Sequence, residues 1–190
     1  MRSVLAYRYL IAALLALTMS LSAAPAGAGA AASAAKSHSA RSKAERLRLS
    51  QQVRKLKRRV WHQQRVMRVR TSWTFRAPSR DPLVNARAKL AVWSKRAARV
   101  NRTYVRPPHT RAWLCIHRGE GSWRAATGNG YYGGLQMSWG FMRHYGAYLI
   151  RVKGAANRWS PLEQIWTGEH GRRVQGWGAW PSTSRACGLI

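Results

Sequence analysis

Acidic residues are scarce in this chain of 190 residues, which has 5 Asp and Glu against 34 Lys and Arg. The formal net charge of +29 favours polyanionic partners over cationic ones. Cysteine is nearly absent, with 2 residues, and the 6 histidines form no His-x-x-x-His pair. These features exclude a zinc knuckle, and we expect neither a metal ion nor another cofactor. A Gly-x-Ser-x-Gly motif is also missing, which excludes the usual serine hydrolase signature.

Long apolar runs are lacking as well, with one exception near the N-terminus, at Leu10–Leu21. This run is shorter than the about 20 residues that a membrane-spanning helix needs. Basic residues precede it and the small residues Ala24–Ala28 follow it, as in cleavable export signals. We predict that residues 1–30 are a signal peptide, with an uncleaved membrane anchor as the alternative. The mature protein would then be secreted, associated with the cell wall and free of transmembrane spans.

Charge divides the remainder of the chain into two regions. Residues 31–107 contain 22 Lys and Arg but only 2 acids, whereas residues 108–190 contain 10 Lys and Arg and 3 acids. The second region also holds 7 of the 10 Trp residues and both cysteines. Because large apolar side chains build cores, we expect the folded, chemically active domain in residues 108–190. Residues 31–107 would form a basic Ala/Arg-rich linker and amphipathic helical region.

The basic region itself has an internal pattern. Residues 31–40 are rich in Ala and Ser and predict a flexible tether. Apolar residues then recur at helical spacing through Ser42–Val69, at Leu49, Val53, Leu56, Val60 and Met67. A second helix is predicted for Asp81–Val100, before Pro107 and Pro108. Such a basic helical arm suits anionic cell-wall polymers or lipid headgroups, and a solvated stalk is an equally good interpretation.

Shorter elements are predicted in the C-terminal region. Ser160-Pro161-Leu162-Glu163 has the form of a capping box with proline at the first helical position, which gives Glu163 a structural role. The Asn129-Gly130 step predicts a turn and a short β-hairpin. The other expectations are a buried helix over Arg111–Arg118 that leads to Glu120, a helix over Leu135–Tyr148, and a loop over Gly176–Pro181.

The two cysteines of an exported chain can form one intramolecular bridge, between Cys115 and Cys187. The bridge would close a loop of about 70 residues, which in the chain-entropy model stabilises the fold by about 4 kcal/mol. Free thiols are the alternative, and the oxidising environment outside the cell disfavours them.

Glycoside cleavage requires a carboxylic acid that protonates the leaving oxygen. Residues 108–190 contain no Asp and three Glu. Glu163 belongs to the predicted cap, and Glu169 lies further along the same helix. Glu120 alone lies between aromatic residues, with Trp113 before it and Trp123 after it. We therefore take Glu120 as the candidate acid; a surface ion pair with a neighbouring arginine is the alternative.

Two stretches carry a resemblance to a known family. Cys115–Trp123 and Gly128–Met137 together resemble the transglycosylase-like core of actinobacterial resuscitation-promoting factors, and Gln175–Pro181 also matches that family. The region is similar to bacterial lysozyme-like and soluble lytic transglycosylase domains as well. This resemblance implies a mainly α, lysozyme-like α+β domain with a short hairpin and one disulfide, preceded by a basic helical or disordered arm.

Carried onto this sequence, the resemblance implies that Glu120 is the catalytic acid. It further implies sugar contacts at Trp123, Tyr131, Tyr132 and Gln136. A strict alignment with the resuscitation-promoting factors would place Arg118 where the acid usually stands. Because arginine cannot serve as a proton donor, we assign the role to Glu120.

A single available carboxylate disfavours a hydrolase with two carboxylates and favours a lytic transglycosylase. The predicted substrate is the β-1,4 bond between N-acetylmuramic acid and N-acetylglucosamine in peptidoglycan strands. Three alternatives stay open: a muramidase that hydrolyses the same bond, a glycan-binding module without catalysis, and a membrane-active cationic protein. We expect a monomer without a specific nucleic-acid partner.

Overall fold

The computed structural model describes residues 27–190, so most of the predicted signal peptide, residues 1–26, lies outside the described residues. The chain divides into two compact units, one ending at Lys43 and the other spanning Ala44–Ile190. Between residues 27 and 190, no helix has both the length and the apolar character that a membrane crossing requires.

Two long helices form the basic region. Helix α1 spans Gly27–Met67 and helix α2 spans Pro82–Tyr104. The expectation of a flexible tether at residues 31–40 is wrong, because these residues belong to α1; their many alanines have the highest helix propensity of all residues. Helix α2 begins where its sequence predicts, since the Asp81 carboxylate accepts a hydrogen bond from the backbone N–H of Leu83 at 2.7 Å.

Helices α1 and α2 run side by side in the same direction within the second unit. Arg87 on α2 pairs with Glu45 on α1, and Asn101 accepts a hydrogen bond from Arg59, so both helices advance together along the chain. The connecting segment, residues 68–81, therefore runs in the opposite direction, from the C-terminal end of α1 back to the start of α2. The predicted apolar stripe faces this packing and is therefore not solvated: its residues Val53, Val60 and Met67 are buried, and Leu56 is half-buried against them.

The C-terminal region is mainly helical with one short hairpin, which confirms the predicted fold class. Strand β1 pairs with β2 in antiparallel register, Tyr131 with Ser138 and Tyr132 with Met137. The elements are α3 (Thr110–Glu120), β1 (Tyr131–Tyr132), β2 (Met137–Ser138), α4 (Trp139–Tyr145), α5 (Ala147–Lys153), α6 (Pro161–Gln175) and α7 (Pro181–Ala186), with 3-10 turns at Ala156–Arg158 and Gly176–Ala179.

Three local expectations need correction. The turn of the hairpin is Gly133–Gln136 rather than Asn129-Gly130, which precedes the first strand. The single helix expected over Leu135–Tyr148 is instead strand β2 and helix α4. Helix α4 ends before Gly146, and the separate helix α5 follows. Gly146 packs so tightly on Trp159 that a Cβ atom would collide with the indole ring. The loop expected over Gly176–Pro181 contains a 3-10 turn and the start of α7.

The core of the C-terminal region forms around α6, which is buried along most of its length. Cys115 and Cys187 are bonded, as predicted, and join α3 to the end of α7. Contacts also cross the predicted domain boundary at residue 107. The indole N–H of Trp166 donates to the backbone carbonyl of Tyr104 at 2.9 Å, and His170 donates to that of Val66 at 2.8 Å.

Candidate active site

A cleft opens beside the last residue of α3. It consists of two adjoining cavities, of about 380 and 420 Å³, which share four lining residues. Glu120 and Asn129 lie at one end, and His144 and Gln175 lie at the other. The shared residues in the middle are Tyr131, Gln136, Ala179 and Trp180. Polar and apolar side chains both line these cavities, as in sites that bind small polar ligands.

Glu120 is half-buried at the C-terminal end of α3. The hydroxyl of Thr183 on α7 donates to its carboxylate oxygen Oε1 at 2.7 Å. Helices α3 and α7 approach closely here because residue 119 is glycine; a Cβ atom on Gly119 would lie 2.7 Å from the Thr183 methyl carbon. No ion pair involves Glu120 in the part of the chain that the structure describes. Arg118 is exposed and does not line the cleft.

The four predicted sugar contacts fall into two groups. Tyr131 and Gln136 line both cavities, and Tyr131 is 48% exposed, so its ring is available to a ligand. Trp123 and Tyr132 do not line the cleft. Trp123 instead stacks on the His117 ring with 3.9 Å between ring centroids, and Tyr132 packs edge-on against Trp139. The alternation of the two tyrosines follows from the period of a β-strand.

The β1–β2 hairpin, which carries Tyr131 and Gln136, is held in place by the fully buried side chain of Gln164 on α6. Its amide oxygen accepts from the backbone N–H of Gly134 at 2.8 Å, and its amide nitrogen donates to the Trp123 carbonyl at 2.8 Å. A side chain at Gly133 would collide with this amide. Gln136 adopts a φ of +43° and donates to the Gly133 carbonyl at 2.9 Å. The hairpin therefore presents its cleft residues from a rigid support.

Glu163, the first of the two other glutamates in this region, is 1% exposed and completes the predicted capping box with Ser160. Its carboxylate also contacts Lys153 at 2.6 Å and His62 of α1 at 2.7 Å. Burial alone would raise the pKa of Glu163, but the hydrogen bonds from His62, Lys153 and the Ser160 backbone outweigh it and lower that pKa to about 2. This carboxylate is an ionised structural anchor between α1 and α6.

Glu169 is likewise 1% exposed and fully engaged. It accepts hydrogen bonds from Arg172 at 2.6 and 3.0 Å and from the indole N–H of Trp113 at 3.1 Å. Burial would raise its pKa, but these donors and the Arg172 charge lower it below the ordinary value. Neither Glu163 nor Glu169 lines the cleft, so Glu120 is its one carboxylate among the described residues.

Sequence reasoning missed several residues of this site. Thr183 carries no local signal, because its role depends on the packing of α7 against α3. Asn129 lines the cleft, and its side-chain oxygen accepts from the Tyr131 backbone N–H at 3.1 Å. Trp180 forms the cleft floor, and its indole N–H donates to the Leu135 carbonyl at 2.7 Å. The contact of His62 with Glu163, about 100 positions apart in the chain, was equally invisible.

Comparison with known proteins agrees with this geometry. Residues 111–183 match the family described as transglycosylase-like domain. Resuscitation-promoting factor Rpf1 of Corynebacterium glutamicum is 41% identical over 69 residues, which is 36% of this chain and 35% of that protein. Resuscitation-promoting factor Rpf of Micrococcus luteus is 39% identical over 70 residues, which is 37% of this chain and 29% of that protein.

A third relative, resuscitation-promoting factor RpfE of Mycobacterium tuberculosis, is 43% identical over 65 residues, which is 34% of this chain and 35% of that protein. The matched segment thus spans about a third of the length of these relatives. Cleft, hairpin and disulfide all lie within or next to residues 111–183, and this chain therefore carries a transglycosylase-like domain similar to that of resuscitation-promoting factors.

Proposed function

We propose that the protein cleaves the β-1,4 bond between N-acetylmuramic acid and N-acetylglucosamine in peptidoglycan, as a lytic transglycosylase with Glu120 as its acid and base. The observation that carries this proposal is the unequal use of three glutamates. Glu163 and Glu169 are buried in ion pairs, whereas Glu120 lines the cleft and, within residues 27–190, has one neutral side-chain partner, Thr183.

The chemistry needs only that one carboxyl group. Glu120 first donates its proton to the glycosidic oxygen, so that the bond from this oxygen to the muramic C1 breaks. The 6-hydroxyl of the same muramic residue then attacks C1 and closes a 1,6-anhydro ring, and its proton returns to Glu120. No water is consumed, and the carboxyl group ends in its starting state. Tyr131 would stack on a sugar ring while Gln136 hydrogen-bonds to it.

The cleft also supports the choice of Glu120 over position 118. Arg118 is exposed and does not line the cleft, and separately its guanidinium group does not give up a proton in proteins. The remaining predicted contacts, Trp123 and Tyr132, would act by supporting the hairpin and the end of α3. We further propose that the protein works outside the cell, as a monomer, with residues 108–190 as the catalytic domain.

The test is mass spectrometry of soluble fragments released from purified peptidoglycan by the oxidised protein. We expect muropeptides that end in 1,6-anhydro-muramic acid. The Glu120→Gln variant, which retains the acceptor for Thr183, should lose at least about a hundredfold in rate, as expected when a general acid is removed. Arg118→Gln, two positions away on α3, is the matched control and should stay active.

Other outcomes would decide against the proposal in distinct ways. Reducing ends instead of anhydro ends would identify a muramidase and require a second, water-activating group. An active Glu120→Gln variant would remove Glu120 from the role. If the protein pellets with the wall and releases nothing, the cleft is a glycan-binding module.

A further inference from the structure

A separate cavity lies in the basic region, far from the cleft in the chain. It has a volume of about 550 Å³ and is formed by the first half of α2, the corresponding part of α1 and the connecting segment. Five of its lining residues are cationic: Arg46, Arg54, Lys57, Arg80 and Lys89. No acidic residue of the described part of the chain lines it.

These cations have no carboxylate partner among the residues that the structure describes. Lys57 lies over the rings of Trp61 and Trp93, with its Nζ 5.9 and 5.2 Å from their centroids, and Lys89 lies over Phe75 at 5.2 Å. Such contacts leave the positive charge uncompensated.

The two acids nearest in sequence are already engaged. Glu45 pairs with Arg87 at 2.7 Å, and Asp81 accepts from the backbone N–H of Leu83 at 2.7 Å as the cap of α2. The cavity therefore presents a strong, unpaired positive charge, to which the aligned peptide dipoles at the start of α2 add.

The floor of the cavity has a different character from its rim. Buried Val53 and half-buried Phe75 and Ala86 form an apolar floor, whereas the rim cations Arg46, Arg54 and Arg80 are exposed. A polar polyanion would gain little from such a floor, because only apolar groups gain free energy by burial there. The combination of apolar floor and cationic rim matches a molecule with an anionic head and a hydrocarbon chain.

We propose that this cavity binds one anionic phospholipid, with the phosphate among the rim cations and the first carbons of an acyl chain on the floor. The proposal does not depend on glycan cleavage. It also goes beyond a general attraction of the basic arm to polyanions, since it assigns a defined site and a ligand with an apolar part.

The cavity lies along the same two helices that contact residues 108–190. Because α1 and α2 run in parallel, both approach residues 108–190 with their C-terminal ends, through Val66 and Tyr104. Arg54 precedes Val66 on α1 by an axial distance of about 18 Å, at 1.5 Å per residue. A lipid bound at the cavity would leave the cleft open, since the two share no lining residue.

Isothermal titration calorimetry with soluble ligands tests the site without a bilayer. The three ligands are dihexanoyl phosphatidylglycerol, dihexanoyl phosphatidylcholine with the same chains, and glycerol 3-phosphate with no chain. We expect the anionic lipid to bind at least about tenfold more tightly than either of the others, since it alone uses rim and floor together. Equal binding of glycerol 3-phosphate would favour a phosphate polymer and overturn the proposal, as would equal binding of phosphatidylcholine.

Three variants locate the binding. Arg46→Gln/Arg54→Gln/Lys57→Gln removes three rim charges and should weaken binding of the anionic lipid at least about tenfold. The matched control, Arg48→Gln/Lys55→Gln/Arg58→Gln, removes three exposed charges of α1 that do not line the cavity. An equal loss in both would reduce the effect to bulk charge and overturn the site. Phe75→Ser should weaken lipid binding but leave glycerol 3-phosphate binding unchanged; lipid binding that survives Phe75→Ser would contradict the role of the floor.

Discussion

The carboxylates on the buried helix α6 differ from the one at the junction of α3 with α7 in their burial and in the charge of their partners. On α6, Glu163 and Glu169 are 1% exposed and held by Lys, Arg and His side chains at 2.6 to 3.3 Å. At the junction, Glu120 opens onto the cleft and accepts one hydrogen bond from a neutral hydroxyl. Among the residues that the structure describes, Glu120 and the helix cap Asp81 are the carboxylates without a cationic partner, although the chain has 34 Lys and Arg. Glu163 and Glu169 therefore act as structural anchors, whereas Glu120 is the group that we propose exchanges a proton.

The largest effect is expected on the unfolding free energy when the anchor Glu163 is replaced. Glu163→Gln leaves Lys153 and His62 partly buried without their anion, and removing one partner of a buried pair costs about 4 kcal/mol of unfolding free energy. Glu45→Gln is the matched control, since Glu45 and Arg87 form an exposed pair whose loss costs about 1 kcal/mol or less. Urea unfolding of both variants measures the difference. Equal losses would mean that the Glu163 network contributes no more than a surface pair.

Acid should weaken the same region in two stages. Burial lowers the pKa of His170, so the unfolded chain takes up a proton first and stability falls as the pH drops below about 6.5. The pKa of Glu163 is lowered to about 2 and that of Glu169 is also lowered, so their contribution is complete above pH 4.5 and is lost as the pH falls from there toward 2. The Glu163 part amounts to about 3 kcal/mol.

Urea unfolding between pH 8 and pH 3 checks this dependence, and Glu163→Gln should flatten the steeper stage below pH 4.5. An unfolding free energy that stays constant from pH 7 to pH 3 would contradict it. At the alkaline end the sign reverses. Burial, helped by the Glu163 charge, raises the pKa of Tyr104 to about 12, so the unfolded state ionises first and stability falls as the pH rises above 10.

The structural role of Glu163 was more predictable from the sequence than the surroundings of Glu120. The capping box at Ser160 is a local pattern of four residues, and it correctly assigned Glu163 a structural role. Elimination could then single out Glu120, because acids are scarce. Thr183 could not be found in this way, since its contact with Glu120 joins residues that are 63 positions apart. Long-range packing of this kind leaves no periodic trace in a single sequence.

The helices of the basic region also show that local structure is predictable from the sequence while long-range packing is not. Hydrophobic spacing predicted the part of α1 after Ser42 and most of α2, because it is a local property of each helix. Their parallel arrangement depends on the extended return of residues 68–81, whose partners lie on both helices; Arg96 of α2, for example, donates to the Thr74 carbonyl at 2.6 Å. The hairpin turn lies at Gly133–Gln136 rather than at the predicted Asn129-Gly130 for a similar reason. The buried side chain of Gln164, distant in sequence, accepts a hydrogen bond from the backbone N–H of Gly134.

The smallest expected effect concerns the partner of Glu120. Thr183→Val removes the hydroxyl while keeping the shape of the side chain, so Glu120 loses the one hydrogen bond that orients it toward the cleft. A hydrogen bond to a charged group contributes about 1.5 kcal/mol, so we expect kcat to fall about tenfold. KM should stay the same, because Thr183 does not line the cleft and acts only through Glu120.

Thr183→Ser separates positioning from packing, because it keeps the hydroxyl and deletes the methyl group that touches Gly119. We expect this variant to retain most of the wild-type kcat in a muropeptide-release assay. If Thr183→Ser and Thr183→Val lose activity equally, the contribution of Thr183 is packing of α7 on α3 rather than the hydrogen bond. A wild-type rate in Thr183→Val would show that Glu120 needs no orienting partner, and the junction would then differ from α6 only in its lack of cations.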